Sequence, residues 1–412
     1  MNIAMEIPSD PYSLDIAELD PAIPALYQKQ YHWDYFKRLR EEDPVHFVEG
    51  GDFGPYWAVT RYQDIVFVDS HHDLFSSFPS IGIGVSPTDF QPPMFIAMDQ
   101  PKHDVQRKVV QPAVAPNRLA ELEGLIRTRT IEVVEGLPIG KPFNWVDTVS
   151  IELTTRMLAT LFDFPYGDRH LLTYWSDVAT SGPTVGGNRP EEEREEILQE
   201  CLAYFDRLWS ERENQAGGMD FISLLSHDPA TRNMAPMEYL GNLILLIVGG
   251  NDTTRNTMSA SVLALHNNPT EYAKLVSDHA LIPSMVSEVI RWQTPLAHMR
   301  RVANEDVELG GKLIKKGQRV VMWYISGNRD EASIDRPDEF IIDRANPRNH
   351  LSFGFGIHRC MGNRLAEMQL RVLWEELLAR FERIEVVGEP QRVHSNFVMG
   401  YTDLPVVLHS LR

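Results

Sequence analysis

The stretch Phe353-Gly-Phe-Gly-Ile-His-Arg-Cys-Met-Gly362 sets one cysteine among glycines, directly before an amphipathic segment. A thiolate that binds iron needs backbone N–H groups aimed at its sulfur. A turn of that kind needs glycine where a Cβ would clash, which would explain Gly354, Gly356 and Gly362. A helix starting just after Cys360 would lower the pKa of the thiol. The stretch predicts an iron ligand; the alternative is a Gly-rich turn with an inert, buried cysteine.

The rest of the sequence predicts a mainly α protein with a minor β portion. Apolar residues recur at spacings of three and four in seven segments, which predicts helices at 33–43, 117–135, 147–162, 191–213, 237–266, 283–294 and 363–381. Shorter β-like runs lie at 45–48, 56–60, 302–309, 319–324 and 397–408. Residues 75–98, rich in Gly, Pro, Ser and Phe, predict a long loop of the kind that carries function.

Composition indicates one soluble domain. The 412 residues are 43% hydrophobic and contain no linker-like tract or internal repeat, so we expect a single catalytic domain over 1–412. A net charge of −19 disfavours nucleic acid and anionic lipid as partners. The N-terminus lacks the features of a signal peptide, and the most apolar run, 243–248, is far shorter than the roughly 20 residues that span a bilayer. We therefore expect a cytoplasmic protein without membrane insertion.

The cysteine stretch resembles the heme-binding loop of the cytochromes P450, in the spacing Phe-x-x-Gly-x-His-x-Cys-x-Gly. The resemblance implies the P450 fold, an α-rich triangular prism with heme b (iron protoporphyrin IX) between a long central helix and the cysteine loop. It also implies monooxygenase activity, with Cys360 as the iron ligand. Phe353, Gly356, His358 and Gly362 would then belong to the cofactor site, and His358 could reach a heme propionate.

A second motif, Gly249-Gly-Asn-Asp-Thr253, interrupts the longest predicted helix. Two adjacent glycines cost a helix about 2 kcal/mol relative to alanine, which suggests that something needs the space. The motif resembles the family's small-Gly-x-acid-Thr signature. This implies that Gly249 borders the cofactor, that Thr253 steadies dioxygen and its water, and that Asp252 relays protons. The alternative is a local kink with a capping aspartate.

Further basic residues match the family's propionate ligands. His103 and Arg107 lie four residues apart after Pro101, which suits the first turn of a helix. The resemblance implies that both bind heme propionates and that Arg301 adds another charge-assisted contact. Without the resemblance, a histidine at this spacing is more often an ordinary surface residue.

Glu288 and Arg291 are three residues apart on a predicted helix. They resemble the family's Glu-x-x-Arg pair, which joins a later arginine in a buried network, and Arg344 is the matching residue. This network would hold the fold near the cysteine loop. Taken alone, such a pair is more often a solvated surface pair.

A narrower resemblance points to bacterial cytochromes P450 that hydroxylate the terminal (omega) carbon of alkanes. It is carried by Gly249-Gly-Asn-Asp-Thr-Thr-Arg-Asn256, Arg291-Trp-Gln-Thr-Pro-Leu-Ala-His-Met-Arg-Arg301, Trp323-Tyr-Ile-Ser-Gly-Asn-Arg-Asp330 and His394-Ser-Asn-Phe-Val. It implies medium-chain alkanes or related aliphatic and alicyclic substrates, and electrons from NAD(P)H through a ferredoxin reductase and a ferredoxin. The substrate pocket would be apolar, without a charged anchor. Besides the 75–98 loop, its predicted residues are Ile247, Val248, Leu296, Ala297, Met299, Phe397 and Val398.

Two other activities use the same cofactor. A heme-thiolate peroxygenase that consumes H2O2 has no need of an acid–threonine pair, so Asp252 and Thr253 argue against it. A heme-binding sensor without turnover does not need a helix broken by glycines over the iron, so the Gly249–Thr253 motif argues against a sensor.

Overall fold

The structure, a computed structural model, describes residues 8–85 and 88–410. Helices form most of it, in the order α1 (Pro24–Gln28), α2 (His32–Glu42), α3 (Tyr62–Ser70), α4 (Lys102–Val110), α5 (Pro116–Glu135), a π-helix (Val146–Ile151) that continues as α6 (Glu152–Leu161), α7 (His170–Ala179), α8 (Glu191–Arg212), α9 (Phe221–His227), α10 (Pro236–Asn267), α11 (Pro269–Ser277), α12 (Ile282–Gln293), α13 (Tyr324–Gly327) and α14 (Asn363–Leu378). The mainly α prediction is confirmed.

Within the described residues, the strands form four small sheets. They are β1 (Val45–Val48), β2 (Tyr56–Val59), β3 (Phe75–Ser76), β4 (Phe143–Asn144), β5 (Met299–Ala303), β6 (Val307–Leu309), β7 (Lys312–Ile314), β8 (Arg319–Met322), β9 (Phe381–Val386), β10 (Gln391–Arg392), β11 (Tyr401–Asp403) and β12 (Pro405–Ser410). The largest sheet has the order β1-β2-β8-β5-β3, in which β2 and β8 are parallel and the other pairs antiparallel. Strands β4, β12 and β9 form a second sheet, and two hairpins complete the set.

Helix α10 is the centre of the helical part. Its 32 residues are buried on most sides, and it contacts α6, α7, the π-helix and α12. The prediction of a long helix at 237–266 is confirmed, but the expected interruption at Gly249 and Gly250 is wrong, because the helix runs through both glycines. Among the described residues, no helix is both long and apolar enough to cross a membrane.

Most of the remaining predicted elements agree with the structure to within a few residues, with four informative differences. The strand predicted at 397–408 is two strands, β11 and β12, which begin at Tyr401 and end at Ser410. The helix predicted at 147–162 opens as the π-helix before becoming α6. The helix predicted at 363–381 ends at Leu378, and Phe381 instead begins β9, which pairs with β12. The strand predicted at 302–309 is two strands, β5 and β6, separated by the polar residues 304–306.

Candidate active site

The cysteine loop closes by backbone hydrogen bonds. The N–H of Cys360 donates to the carbonyl of Phe353 at 2.8 Å, and the N–H of Gly354 donates to Leu351 at 2.8 Å. Gly354 and Gly356 have φ angles of 64° and 62°, and a Cβ on Gly356 would collide with the carbonyl oxygen of Asp69. Glycine is therefore required at these two positions.

The expected lowering of the thiol pKa is corrected by the structure. The N–H groups of Gly362 and Asn363, at the start of α14, do lower the pKa of Cys360, as do Arg107 and Arg359. Burial is the larger effect, and the net result is a raised pKa for the Cys360 thiol. The loop therefore does not favour a free thiolate. It suits a sulfur bound to a metal ion, which deprotonates a coordinating thiol outright.

Cys360 faces a cavity of ≈ 550 Å³. The accessible surface of its side chain belongs to this cavity, since Cys360 is surrounded by protein on its other sides. Across the cavity, α10 contributes Val248, Gly249 and Thr253 to the wall. Most of the remaining lining is apolar and includes Phe90, Phe95, Met157, Leu161, Val185, Ile244, Leu296, Met299, Leu365 and Phe397.

Three predicted pocket residues are not on the cavity wall, and the local backbone explains why. Ile247 precedes Val248 by about 100° of helix rotation and packs into the apolar cluster around α7 and α8. Ala297 and Val398 lie in extended segments, where neighbouring side chains alternate in direction. Their neighbours Leu296 and Phe397 take the cavity side.

The expectation of a pocket without charged groups is also corrected. Arg300 and Arg319 line the cavity near residues 80–84. Arg300 donates to the carbonyls of Ser80 at 3.1 Å and Gly84 at 3.2 Å, and Arg319 donates to Ile83 at 3.0 Å. Burial, together with the nearby Arg319, lowers the pKa of Arg300 to about 10. Arg300 and Arg319 therefore fix residues 80–84 of the 75–98 loop through its backbone carbonyls. Two residues of that loop, 86 and 87, lie outside the described part of the chain.

Basic side chains converge at the Cys360 end of the cavity. His358 and Arg107 line it, and Arg301 joins them from β5. The rings of His103 and His358 lie 4.2 Å apart. His103 Nε2 and His358 Nδ1 are both buried without a hydrogen-bond partner in the protein. Two orphaned ring nitrogens beside two guanidinium groups form a site that fits acidic groups of a ligand.

His358 is held neutral in the protein alone. Burial and the positive charge of Arg301 lower its pKa to about 2. Its Nε2 is 2.8 Å from the hydroxyl of Ser77. When that hydroxyl donates, the ring proton lies on Nδ1, the orphaned atom, which can then donate to an anionic ligand.

Asp69 is a site residue that sequence reasoning missed. It accepts hydrogen bonds from Arg301 at 2.7 Å, from the Tyr324 hydroxyl at 2.9 Å and from the N–H of Phe355 at 2.7 Å. This buried carboxylate therefore joins the cationic strand to the cysteine loop. In the sequence it is one aspartate near the end of a short helix, without a motif around it.

Two glycines of the cavity wall, Gly249 and Gly362, differ from the glycines of the turn. Nothing lies within 4 Å of where a Cβ would be placed on Gly249 or on Gly362, and Gly362 has a φ of −90°. The expectation that a Cβ on Gly362 would clash is therefore wrong. Both glycines instead leave open cavity space, one on α10 and the other at the start of α14. Gly250 has another role, because a Cβ there would lie 2.7 Å from Leu158 of α6. Only the first glycine of the pair is therefore explained by space in the cavity.

The acid–threonine pair is divided between two environments. Thr253 lines the cavity, and its hydroxyl donates to the carbonyl of Gly249 at 2.9 Å. Asp252 is fully buried and lies off the cavity wall. It pairs with Arg255 at 2.7 Å and accepts a hydrogen bond from the Thr180 hydroxyl at 3.1 Å. Burial raises the pKa of Asp252, partly opposed by Arg255.

Glu288, Arg291 and Arg344 meet in one buried network. Arg291 donates two bonds of 2.8 Å to the Glu288 carboxylate, and Arg344 adds a third at 2.9 Å. The N–H of Ile341 donates to the same carboxylate at 2.8 Å. Arg291 also binds the carbonyls of Asn328 and Pro337, each at 2.8 Å. The network ties α12 to the segment that leads into the cysteine loop.

These features together fit a thiolate-ligated heme. The fit rests on a cysteine at the cavity wall, open space beside Gly249 and beside Gly362, and orphaned histidine nitrogens beside arginines. Among the described residues, no group of three or more His, Cys, Asp or Glu side chains could hold a metal ion by itself. The geometry defines the class of heme-thiolate proteins.

Comparison with known proteins gives the family. The Cytochrome P450 family model matches residues 187–402. The chain is 35% identical to linalool 8-monooxygenase of Pseudomonas putida, over 93% of this chain and 97% of that protein. It is 31% identical to a methyl-branched lipid omega-hydroxylase of Mycobacterium tuberculosis, over 90% of each. The structure of cytochrome P450-153 from Novosphingobium aromaticivorans superposes with a TM-score of 0.89 and 46% identity, covering 95% of this chain and 99% of that one.

The chain belongs to the cytochrome P450 family and is a P450 monooxygenase with the P450 fold. Its cofactor is heme b, and NAD(P)H supplies electrons through redox partners.

Proposed function

We propose that this monooxygenase inserts one oxygen atom of O2 into the terminal C–H bond of medium-chain alkanes or related aliphatic and alicyclic molecules. We also propose that its electrons come from NAD(P)H through a ferredoxin reductase and a ferredoxin. The observation that carries the proposal is the mostly apolar cavity wall between Cys360 and Thr253. A wall of this kind binds an apolar substrate by shape.

The cofactor would be held by this chain's own residues as follows. Cys360 is the iron ligand, within a loop shaped by Phe353, Gly356 and Gly362. The propionates are bound by a separate set, which is His103, Arg107, Arg301 and His358. Heme b bound there supplies the activation of O2 and the transfer of oxygen to carbon. Gly249 leaves room for it on the α10 side.

On the α10 wall of the cavity, Thr253 presents a hydroxyl whose oxygen can accept a further hydrogen bond while it donates to Gly249. It would orient water at the oxygen-binding position. Asp252 would hold the proton that is delivered there. The buried Glu288–Arg291–Arg344 network keeps the cysteine loop in place by fixing the segment before it.

Terminal attack requires a geometric constraint. A primary C–H bond is stronger than a secondary one, so the intrinsic reactivity of an alkane favours its inner carbons. The enzyme must present only the chain end, which is a matter of positioning. Support comes from the narrower sequence resemblance and from similarity to a protein named as an omega-hydroxylase.

The face behind Cys360 suits an acidic electron donor. A groove there is lined by Tyr62, Arg348, Arg359, Asn363 and Glu367, among others. Glu367 pairs with Arg348 at 2.8 Å, so the positive charge offered to a partner comes from Arg359. Arg359 is exposed although the whole chain carries a net charge of −19. We propose that the ferredoxin docks on this face. Its electron transfer should then slow as ionic strength rises.

The test is product analysis with a reconstituted system of ferredoxin, ferredoxin reductase, NADH and n-octane. The expected main product by gas chromatography is 1-octanol. Mainly subterminal alcohols, or turnover of bulky polar molecules alone, would contradict the substrate proposal while leaving the monooxygenase assignment intact. A rate that does not depend on ferredoxin would contradict the partner.

A further inference from the structure

The buried carboxylate of Asp252 has no direct contact with the cavity. Thr253 lines the cavity and Asp252 does not, although they are neighbours in α10. The side chain of Asp252 instead points to the end of α7. A proton held on Asp252 therefore needs another group to reach the cavity.

Thr180 is placed to be that group. It follows the last residue of α7 and lines the cavity. Its hydroxyl is 3.1 Å from Asp252 Oδ2 and 3.0 Å from the carbonyl of Ser176. A hydroxyl has one hydrogen to donate and two lone pairs that accept. It can accept the proton of a protonated Asp252 and release its own hydrogen to a water in the cavity.

The partly exposed residue Asp177 influences the Asp252 carboxylate through Arg255. Arg255 lies between the two carboxylates: its Nη2 donates a hydrogen bond to Asp177 and forms an ion pair with Asp252 at 2.7 Å. Asp252 is fully buried, whereas the side chain of Asp177 is about half exposed at 51%. Two carboxylates share one guanidinium that cannot give up its proton, so the triad carries a net charge of −1 when both are ionised. Uptake of one proton neutralises it.

We propose that Thr180 carries protons between Asp252 and the cavity, and that Asp177, acting through Arg255, is a positioning residue that sets the readiness of Asp252 to take up a proton. The inference rests on the proposed function, since it concerns the same site. The transfer is balanced. Asp252 loses the proton that Thr180 Oγ1 gains, Thr180 releases its own hydrogen to water, and no residue is oxidised or reduced.

The direction of the Asp177 effect follows from charge. Burial raises the pKa of Asp252 most, Arg255 lowers it, and the negative charge of Asp177 raises it further. Replacing Asp177 by asparagine removes one negative charge and leaves Arg255 to Asp252 alone. The pKa of Asp252 should then fall, and a lower pH is needed to protonate it.

The first test needs no turnover. Infrared difference spectra of the resting holoenzyme, labelled with 13C-aspartate, report the C=O stretch of a protonated carboxyl group during a pH titration. The band of Asp252 is the one lost in Asp252→Asn. Thr180→Val keeps the size of the side chain and removes the hydroxyl, so it should shift this band. Asp177→Asn should move its appearance to lower pH.

The second test measures turnover of n-octane. Thr180→Val should slow product formation by about a hundredfold, the lower end of what a positioned proton donor contributes, and raise the solvent isotope effect. Thr180→Ser should restore both. Thr173→Val is the matched control, because Thr173 lies on the same helix, is buried, and pairs with Thr155 rather than Asp252.

The outcomes separate the two proposals. Failure of the enzyme to oxidise n-octane would overturn the substrate proposal, and the infrared arm would then judge Thr180 alone. An unchanged Asp252 band in Thr180→Val overturns the role of Thr180. So does a turnover loss that Thr180→Ser does not restore or that Thr173→Val shares. A band whose pH dependence does not move in Asp177→Asn overturns the role of Asp177.

Discussion

The hydroxyl of Thr253 donates a hydrogen bond to the carbonyl oxygen of Gly249, 2.9 Å away and one turn earlier in α10. This bond fixes the orientation of the side chain, so the lone pairs of the Thr253 oxygen remain available on the cavity side. Gly249 has no side chain to cover them, and the space beside it is open.

Thr253→Ala should therefore keep heme and substrate binding but lose the hydrogen-bonding group at the oxygen site. We expect NADH consumption to continue while much of it yields H2O2 rather than alcohol. The measurement is the ratio of product and of H2O2 to NADH consumed. Thr253→Ser should restore most of the product yield. Wild-type coupling in Thr253→Ala would show that the hydroxyl serves only the helix.

Cys360→Ser should abolish the red-shifted absorption band of the carbon monoxide complex of the reduced heme, because that band requires a thiolate ligand. The control is Cys201→Ser, since Cys201 is fully buried in an apolar cluster and does not line the cavity that Cys360 faces. It should lower stability modestly and leave the band intact. A band that survives in Cys360→Ser would refute the ligand assignment.

Glu288→Ala should yield little folded holoprotein, since it leaves two arginines of a buried network without their carboxylate, at a cost of about 3–5 kcal/mol. Glu339→Ala is the matched control in the same segment. Its carboxylate is exposed and pairs with Arg336 at the surface, where a salt bridge contributes about 0–1 kcal/mol. Thermal unfolding and heme content distinguish the two variants, and equal melting temperatures would contradict the buried-network role.

The position of α10 and the position of the cysteine loop could be predicted from the sequence, because both depend on local patterns. Hydrophobic spacing marked the helix to within one residue at each end. The spacing of glycines around Cys360 marked the loop. Such signals lie within a few residues of one another, so no knowledge of the tertiary structure is needed to read them.

Relationships between distant segments could not be predicted in this way. Asp69 contacts Arg301 and Phe355, which lie more than 230 positions away in the sequence. The residues next to Asp69 in the sequence contain no motif that would predict these contacts. Thr180 meets Asp252 because α7 packs on α10. The sign of the Cys360 pKa shift also depends on how much protein surrounds the sulfur. These properties arise from packing, which a single sequence does not display.

The two glycines of α10 should respond differently to alanine. Gly249→Ala places a methyl group in space that is open without the heme and gains about 1 kcal/mol in helix propensity, so the unfolding free energy of the heme-free protein should not fall. Its heme content should fall, because we assign that space to the cofactor. Its substrate affinity should change, because the methyl group enters the cavity. Gly250→Ala brings a Cβ against buried Leu158 and should be less stable than Gly249→Ala by about 1–3 kcal/mol. Denaturant unfolding of both variants provides the comparison, and the opposite order of stability would contradict the assigned roles.

Affinity for n-alkanes should report the length of the cavity. Each added methylene should strengthen binding by up to about 0.8 kcal/mol until the chain fills the space, after which affinity levels or falls. The spin-state change of the heme on substrate binding gives the dissociation constants.

Phe397→Ala enlarges the cavity at its wall. The break, which is the chain length at which affinity stops rising, should then move to a longer alkane. Val398→Ala is the neighbouring control, since Val398 is equally buried but off the wall. It should cost about 2 kcal/mol in stability and leave the break where it is. If both variants move the break, or neither does, Phe397 does not bound the substrate.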